Sequence, residues 1–256
     1  MPLPTPTIDE LIAVLERSRL PTVLVEGAED LTVYRWLERK LAHVRIDFMG
    51  CGGRDRCLQL YARRREFARL HHMFLVDQDL WLFFGKPDGY EGVYTTTGYS
   101  IENDTLAGSC IELLFDEDER TVFSRGLNVL SLWFAFELEV HVQGRNPVFN
   151  VRLGEILDIQ KCEMSEAYKA ARRYVEPGPR FVETIRRSPQ LMIRGKNLLD
   201  LVSAILNRRE RLAKYSKAAV LEIAVKSAEC SVHLKAIVKL IEREFGRGGA
   251  EVGQLL

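Results

Sequence analysis

The sequence predicts an α/β fold, with a doubly wound parallel sheet in the first half of the chain and a mostly helical second half. Short apolar runs alternate with helical stripes through about the first 80 residues, which is the pattern of strand–helix–strand units. Two of the runs, Val23–Val25 and Met73–Val76, do not alternate with polar residues. Strands of this kind are usually covered by helices on both faces, so we expect these two to be central.

The elements of the first half follow from residue spacing and from chain breakers. Apolar residues recur at helical intervals before Pro21, which ends the first helix, and Asp30 is well placed to cap the second. In order, the sequence predicts a helix over 8–15, a strand within 22–25, a helix over 31–41, an alternating strand over 44–48, a glycine-rich loop over 50–53, a charged helix through Arg69, a strand over 72–76 and a strand near 92–97.

The second half is predicted to be helical with interruptions. Pro177–Pro179 is the best linker candidate, because proline and glycine break regular structure. We place a first domain in residues 1–110 and a mostly helical region in 111–256. The last predicted helix has an apolar stripe that either packs in its own core or forms a dimer surface; the stripe is Leu234, Ile237, Val238, Ile241 and Phe245.

Composition narrows the class of protein. The chain has 256 residues, of which 46% are hydrophobic and 28% charged, as in ordinary globular proteins. No apolar run approaches the roughly 18 residues that a membrane span needs, and the start of the chain does not resemble a secretory signal. The five cysteines form no CxxC pair, which argues against a zinc ribbon or a disulfide framework. We therefore expect a cytoplasmic protein that is not associated with a membrane.

Charge is distributed unevenly although the net charge is zero. Residues 161–256 carry 19 Lys and Arg against 11 Asp and Glu, a balance of +8, and residues 1–160 carry a balance of −8. This split has two interpretations: solvated helix faces, or an acidic half joined to a basic half that binds a polyanion. Under the second, Arg194, Arg208 and Arg209 are candidate nucleic-acid-binding residues.

Acidic residues follow two of the predicted strands at the point where each strand ends. Glu26 follows the first strand, and Asp77 and Asp79 follow the third. Carboxyl ends of parallel strands meet at one sheet edge, where open α/β sheets bind ligands. Carboxylates gathered there need a compensating cation, and oxygen ligands suit Mg²⁺. The alternative is that the acids pair with arginines such as Arg54 or Arg194.

Four motifs in this order resemble a known family: Val25–Asp30, Val76–Asp79, Tyr99–Asn103 and Arg194–Asn197. The chain resembles the toprim-related, OLD-like nucleases, and among them most closely the AriB-type toprim effectors of the PARIS anti-phage systems. The motifs cover about residues 22–103 and 190–200. The resemblance implies a toprim-like sheet and metal-dependent phosphodiester chemistry.

The resemblance also implies a set of site residues. Glu26 matches the toprim glutamate and Asp77 and Asp79 its Asp-x-Asp pair, while Lys196 matches the late Arg-Gly-Lys motif. Further metal-binding acids are implied at Asp30 and Glu102. The implied cofactor is Mg²⁺, with Mn²⁺ as a possible substitute, and Glu26 and Lys196 are the implied catalytic residues.

The same resemblance implies a biological context. Its members accompany an ABC-type ATPase such as AriA, which holds the effector until infection, and PARIS-like effectors cleave tRNA as a toxin. We expect a homodimer that cleaves RNA under the control of such an ATPase. The alternatives are a DNA-nicking nuclease, a phosphatase or nucleotide hydrolase with the same metal edge, and a catalytically silent binding subunit.

Overall fold

The computed structural model describes residues 6–27, 31–209, 211–227 and 231–246. These residues form two compact units. The first unit takes in the described chain up to Thr97 and again from Val232, and the second is Gly98–Ser231. The predicted α/β class is confirmed, because the first unit contains a parallel sheet and the second half of the chain is mostly helical.

A four-stranded sheet forms the centre of the first unit, in the order β2-β1-β3-β4, with every neighbouring pair parallel. Its strands are β1 Thr22–Val25, β2 Asp47–Gly50, β3 His72–Val76 and β4 Val93–Thr95. As predicted, β1 and β3 are central and almost wholly buried. Their non-alternating apolar sequences fit this position because helices cover both faces of such strands.

Four of the helices in this unit are α1 Ile8–Arg17, α2 Leu31–Lys40, α3 Arg54–Ala62 and α4 Trp81–Phe84. Thr7 begins α1 with a capping box, in which its hydroxyl accepts from Glu10 N at 3.2 Å and Glu10 Oε2 accepts from Thr7 N at 2.6 Å. The predicted cap of α2, Asp30, lies outside the described residues. Side chains from α1, α3, β1 and β3 form one core cluster, which includes Leu11, Leu15, Leu24, Leu60, Phe67 and Phe74.

Two predicted elements of this unit were wrong in their bounds. The strand predicted over 44–48 begins only at Asp47 and continues to Gly50. Residues 44–46 precede it, because Val44 N closes a turn on Leu41 O and Arg45 has a φ of 53°. The charged helix does not reach Arg69 but ends at Ala62. Beyond it, Arg64 and Glu66 donate to the carbonyls three residues earlier, so the chain continues as tight turns.

The second unit consists of helices and one short hairpin. Its longest helix buries Trp133 and Phe134 completely. The elements are α5 Ile101–Leu106, a 3₁₀ turn Cys110–Leu114, α6 Glu117–Val142, α7 Leu153–Ile156, β5 Leu157–Asp158, β6 Glu163–Met164, α8 Glu166–Arg172, α9 Pro179–Arg186, α10 Pro189–Met192, α11 Gly195–Leu206 and α12 Lys217–Lys226.

The expected linker at Pro177–Pro179 lies inside this second unit. Pro179 is the first residue of α9, a position where its missing N–H carries no penalty. The preceding Gly178 N donates to Glu139 Oε1 at 2.7 Å, which fixes the segment to α6. The Pro-Gly-Pro sequence therefore marks the start of a helix rather than a boundary between units.

The last described helix, α13 Val232–Gly246, belongs to the first unit although it follows the second in sequence. Ile241 and Phe245 are buried, the Phe245 ring lies 4.6 Å from the ring of His71, and Glu242 Oε1 lies 3.2 Å from His43 Nε2. Of the two interpretations of its apolar stripe, the structure supports packing in the core. None of the described helices is both long and apolar enough to cross a membrane.

Candidate functional site

The carboxyl edge of the sheet brings Glu26 and Asp77 together. Val25 pairs with Leu75 in the parallel register, so β1 and β3 end at nearly the same level. Glu26 Oε1 accepts a hydrogen bond from Asp77 N at 2.9 Å. The expectation that these residues share one sheet edge is therefore met by the geometry.

Asp79 reaches this edge through a turn rather than along a strand. β3 ends at Val76, and Asp79 has a φ of 47°, in the left-handed region that few non-glycine residues adopt. Gln78 N donates to Thr96 Oγ1 at 3.0 Å, and Gln78 O accepts from Trp81 N at 2.9 Å. These bonds fix the turn and direct the Asp79 carboxylate toward Glu26.

Arg54 lies between the two carboxylates. Its Nη1 is 3.1 Å from Glu26 Oε1, 3.0 Å from Asp79 Oδ2 and 2.6 Å from the carbonyl oxygen of Asp77. Its guanidinium carbon lies 4.1 Å from the centre of the Trp81 ring, in cation–π contact. Three oxygen atoms thus surround one cationic nitrogen at the sheet edge, and the arginine pairing left open by the sequence is present.

The glycine-rich loop positions Arg54. Gly52 and Gly53 have φ values of 84° and 119°, which residues with a Cβ rarely adopt, and Gly53 N donates to Glu26 O at 2.6 Å. The chain therefore turns sharply from β2 into α3 beside Glu26. Because Arg54 is the first residue of α3, the turn directs its side chain to the sheet edge.

Burial dominates the electrostatics of Glu26, whose side chain is 18% exposed. Desolvation and the nearby Asp79 carboxylate raise the pKa of Glu26 from 4.5 to about 7, against the opposing effects of Arg54 and the Asp77 N–H bond. Even with Arg54 in contact, the ionised carboxylate is therefore disfavoured. A divalent cation would stabilise the ionised carboxylate more than the single charge of Arg54 does.

The donor set fits a hard divalent cation in its chemistry. Glu26 and Asp79 contribute carboxylate oxygens and Asp77 a carbonyl oxygen around one position, and Mg²⁺ and Mn²⁺ accept such ligands. Within the described residues, no three carboxylate, histidine or cysteine side chains converge closely enough to hold an ion without rearrangement. An ion held by the two carboxylates and the carbonyl would take the position of Arg54 Nη1, so Arg54 would have to leave these oxygens.

The remaining predicted site residues are not among the described residues of the first unit. Asp30 lies outside the described residues. Glu102 belongs to the second unit, where it is 4% exposed and its Oε2 accepts from Ser100 Oγ at 2.5 Å. Lys196 is an exposed residue at the start of α11, also in the second unit.

Two motifs from the sequence analysis, Tyr99–Asn103 and Arg194–Asn197, pack together in the second unit. Asn103 is fully buried, and its Nδ2 donates to Ile193 O at 3.0 Å and to Gln190 O at 2.6 Å. A Cβ built on Gly195 would lie only 2.1 Å from Ser100 Oγ. Glycine is required at position 195 because the N-terminus of α11 lies against the N-terminus of α5.

The candidate nucleic-acid-binding arginines are in the second unit. Arg194 donates to Asn197 Oδ1 and to Asn150 Oδ1, both at 3.0 Å, so two of its donors serve the fold. Arg208 is half-buried and Arg209 exposed, immediately after α11. The two arginines are consecutive residues just beyond the end of α11. Their role in binding nucleic acid stays a prediction.

Part of the basic charge of the second half is used internally. Arg172 makes a two-pronged ion pair with the buried Glu137, with bonds of 2.9 and 2.8 Å. Arg211 does the same with the buried Glu119, at 2.6 Å for both bonds. These arginines neutralise buried carboxylates, so the surplus of charge available to a polyanion is smaller than the sequence count.

Comparison with known proteins gives a structural likeness and no match in sequence. No family model matches the chain, and no curated protein matches it. Two structures of the C-terminal region of the OLD protein of Xanthomonas campestris pv. campestris, phased with platinum and with iodine, have a TM-score of 0.39 to this chain. They are 14% and 15% identical and cover 90% of this chain and 96% and 97% of theirs. A TM-score of this size is too low to transfer residues or activity.

Sequence reasoning named Arg54 only as one possible partner of the acids, and it missed the contact with Trp81. The signal that was available is position, since Arg54 directly follows a glycine-rich turn at the carboxyl end of a strand. Trp81 packs at the margin of the core cluster and against the guanidinium.

Proposed function

We propose that the chain is a Mg²⁺-dependent nuclease, with Mn²⁺ as a working substitute. The observation that carries the proposal is the convergence of Glu26, Asp79 and the Asp77 carbonyl on one cation position at the carboxyl edge of a parallel sheet. The raised pKa of Glu26 supports it, because a buried acid of this kind favours binding of a divalent ion. The resemblance of the sequence motifs to toprim nucleases points the same way.

Glu26, Asp79 and Asp77 are the residues that would hold the ion. When bound, the ion would polarise the scissile phosphate and lower the pKa of an attacking water. Asp77 N and the turn at Gln78 keep Glu26 and Asp79 oriented through backbone hydrogen bonds, so the site is organised by the fold. The parts of Asp30, Glu102 and Lys196, as further metal ligands and as a phosphate-neutralising lysine, rest on the resemblance alone.

The substrate proposed first is RNA, and tRNA in particular, with cleavage acting as an antiviral defence. This choice, the ABC-type ATPase that restrains the enzyme, and a homodimer all rest on the resemblance to PARIS-type effectors. The buried apolar face of α13 is not a candidate dimer surface, since its central residues pack in the first unit. Light scattering on the purified chain at micromolar concentration tests the dimer: a mass twice that of the 29.3 kDa chain is expected.

A catalytically silent binding subunit is the second candidate. The observation that favours it is Arg54, which already neutralises the two carboxylates that a metal would need. A silent subunit predicts that substitutions at Glu26 and Asp77 leave partner binding and cellular function intact. The nuclease predicts that the same substitutions abolish toxicity in cells while the protein stays folded.

The experiment that tests the proposal is a cleavage assay on purified protein. Single-stranded RNA, tRNA, supercoiled DNA and a small phosphate ester are each incubated with Mg²⁺, with Mn²⁺ and with EDTA. We expect metal-dependent cleavage of RNA, with a loss of more than about 100-fold in Glu26→Gln and Asp79→Asn, the two substitutions that remove a carboxylate from the cation position. Glu16→Gln removes the same charge at an exposed position of α1 and is the matched control.

Three outcomes would redirect the assignment. Nicking of supercoiled DNA without cleavage of RNA identifies a DNA nuclease, and turnover of the small ester alone identifies a phosphatase. Cleavage that persists after thorough chelation, or full activity in Glu26→Gln, would contradict the metal mechanism.

A further inference from the structure

Arg54 is held at the sheet edge by its backbone, independently of the acids that it contacts. It is the first residue of α3, and the positive φ values of Gly52 and Gly53 set the direction in which that helix starts. Arg54 is therefore placed beside Glu26 whether or not the carboxylates are available to it. A long side chain on a fixed backbone can exchange partners without any change in the fold.

The guanidinium occupies the position that a metal ion would need. One nitrogen, Nη1, contacts an oxygen of each of Glu26, Asp77 and Asp79 at 3.1, 2.6 and 3.0 Å. An ion that binds all three oxygens would lie where Nη1 now lies, and a divalent cation and a guanidinium repel each other at such short distance. Binding of the ion must therefore compete with Arg54.

Only one side of the guanidinium is hydrogen-bonded. Among the described residues, the Arg54 Nη2 atom is buried and has no hydrogen-bond partner. A buried donor of this kind is unfavourable, and arginine presents paired N–H groups that match a phosphate. The face of the same group lies on Trp81 at 4.1 Å, and the Nη2 edge is buried, so this edge can bind an anion only after the guanidinium has moved away from the acids.

We propose that Arg54 is an exchangeable counter-ion that neutralises Glu26 and Asp79 without metal and binds a phosphate of the nucleic acid when a divalent ion displaces it. The proposal rests on the proposed function, because it requires both the metal and a phosphodiester substrate. It assigns Arg54 a double effect: the residue weakens metal binding in the free protein and strengthens binding of the substrate in the metal-loaded protein. A merely structural ion pair on the same acids would also weaken metal binding, but it would not strengthen binding of the substrate.

The first arm of the test measures Mn²⁺ alone, by isothermal calorimetry on wild type, Arg54→Gln and Arg65→Gln. Arg65 is exposed, and its replacement removes the same charge away from the acids. We expect Arg54→Gln to bind Mn²⁺ roughly tenfold tighter than wild type or more, since a unit charge is removed from the immediate surroundings of the ion. Arg65→Gln should bind it as wild type does.

The second arm measures a ten-nucleotide single-stranded RNA in the presence of Ca²⁺, which is used to hold the site without turnover. Arg54→Gln should bind this probe at least about fivefold more weakly than Arg65→Gln does. Where Arg54→Gln does not fold, the wild-type protein labelled with ¹⁵N-arginine is titrated with Mg²⁺. The Arg54 side-chain signal should then shift at Mg²⁺ concentrations that raise the melting temperature.

The results separate this proposal from the function on which it rests. Mn²⁺ binding that is equal in wild type and Arg54→Gln, or an Arg54 signal that does not move, overturns the exchange while the metal site stands. Unchanged RNA binding in Arg54→Gln overturns its phosphate role. Absence of Mn²⁺ binding in every variant overturns the metal-dependent function itself, and the exchange with it.

Discussion

Replacing Glu26 by glutamine is expected to stabilise the metal-free protein at pH 8 and to leave its stability almost unchanged near pH 4.5. Glutamine keeps the oxygen that accepts from Asp77 N and Arg54 Nη1, so the change removes mainly the negative charge. Burial raises the pKa of Glu26 from 4.5 to about 7 in the folded protein. The folded state therefore binds the proton more tightly than the unfolded state does.

This difference in pKa sets the sign and the size of the effect. The stabilising contribution of the protonated Glu26 is fully present below pH 4.5 and is lost as the pH rises through about 7. Each pKa unit corresponds to about 1.36 kcal/mol, so the full cost of ionisation is at most about 3 kcal/mol. Because the side chain is 18% exposed and partly screened by water, we expect a gain of about 1–3 kcal/mol for Glu26→Gln at pH 8.

The assay is urea denaturation in EDTA, at several pH values between 4.5 and 8, on wild type, Glu26→Gln and the exposed-site control Glu16→Gln. The free energy of unfolding of Glu26→Gln should exceed that of wild type increasingly across this range, whereas Glu16→Gln should follow wild type within about 0.5 kcal/mol. A Glu26→Gln protein that is less stable than wild type at pH 8 would refute the reasoning. It would show that the ion pair with Arg54 outweighs the desolvation of the carboxylate.

Three further predictions concern the second unit and the last helix. Gly195→Ala should lower the free energy of unfolding by about 1–3 kcal/mol, since the added Cβ would lie 2.1 Å from a hydroxyl oxygen. Gly154→Ala, whose Cβ would meet nothing within 4 Å, should not. Ile241→Lys should destabilise by more than about 3 kcal/mol in thermal melts, because the side chain is fully buried. Reversing Arg208 and Arg209 to glutamate should weaken binding of single-stranded RNA and reduce its salt dependence, by about 0.7 in log–log slope per lost contact.

Each of these has an outcome that contradicts it. Equal stability of the two glycine variants would mean that the close approach of α5 and α11 is relaxed in solution. A folded and monomeric Ile241→Lys would identify its surface as an interface between copies. For the arginines, reversal of Arg63 and Arg64 is the comparison, and an equal loss of RNA affinity from both pairs would mean that the charge split is only a solvated surface.

Local sequence patterns determined the central part of the fold. The runs Val23–Val25 and Met73–Val76 predicted buried central strands, because non-alternating apolar residues require cover on both faces. Glu26 and Asp77 were predicted to share a sheet edge, because parallel strands end at the same side. Both inferences depend on the spacing of apolar residues and on which residues directly follow each strand. Both agree with the structure.

Local patterns failed where backbone conformation is set by a single turn. The alternation at 44–48 was outweighed by the left-handed Arg45, and the charged helix ended at Ala62 although its residues favour helix. Neither event changes hydrophobic periodicity, so periodicity could not reveal it. Asp79 is a similar case, since its position depends on a turn held by Thr96 rather than on the extended chain.

Only the tertiary structure decided which distant residues meet. It placed Arg54 between Glu26 and Asp79, packed the Asn103 amide against carbonyls about 90 residues later, and returned α13 to the unit of the sheet. Contacts of this kind form when whole helices and strands pack against one another. Local sequence patterns do not indicate which distant residues will meet in this way. The sequence by itself determined that the sheet edge is acidic, and the folding of α3 onto that edge determined that an arginine occupies it.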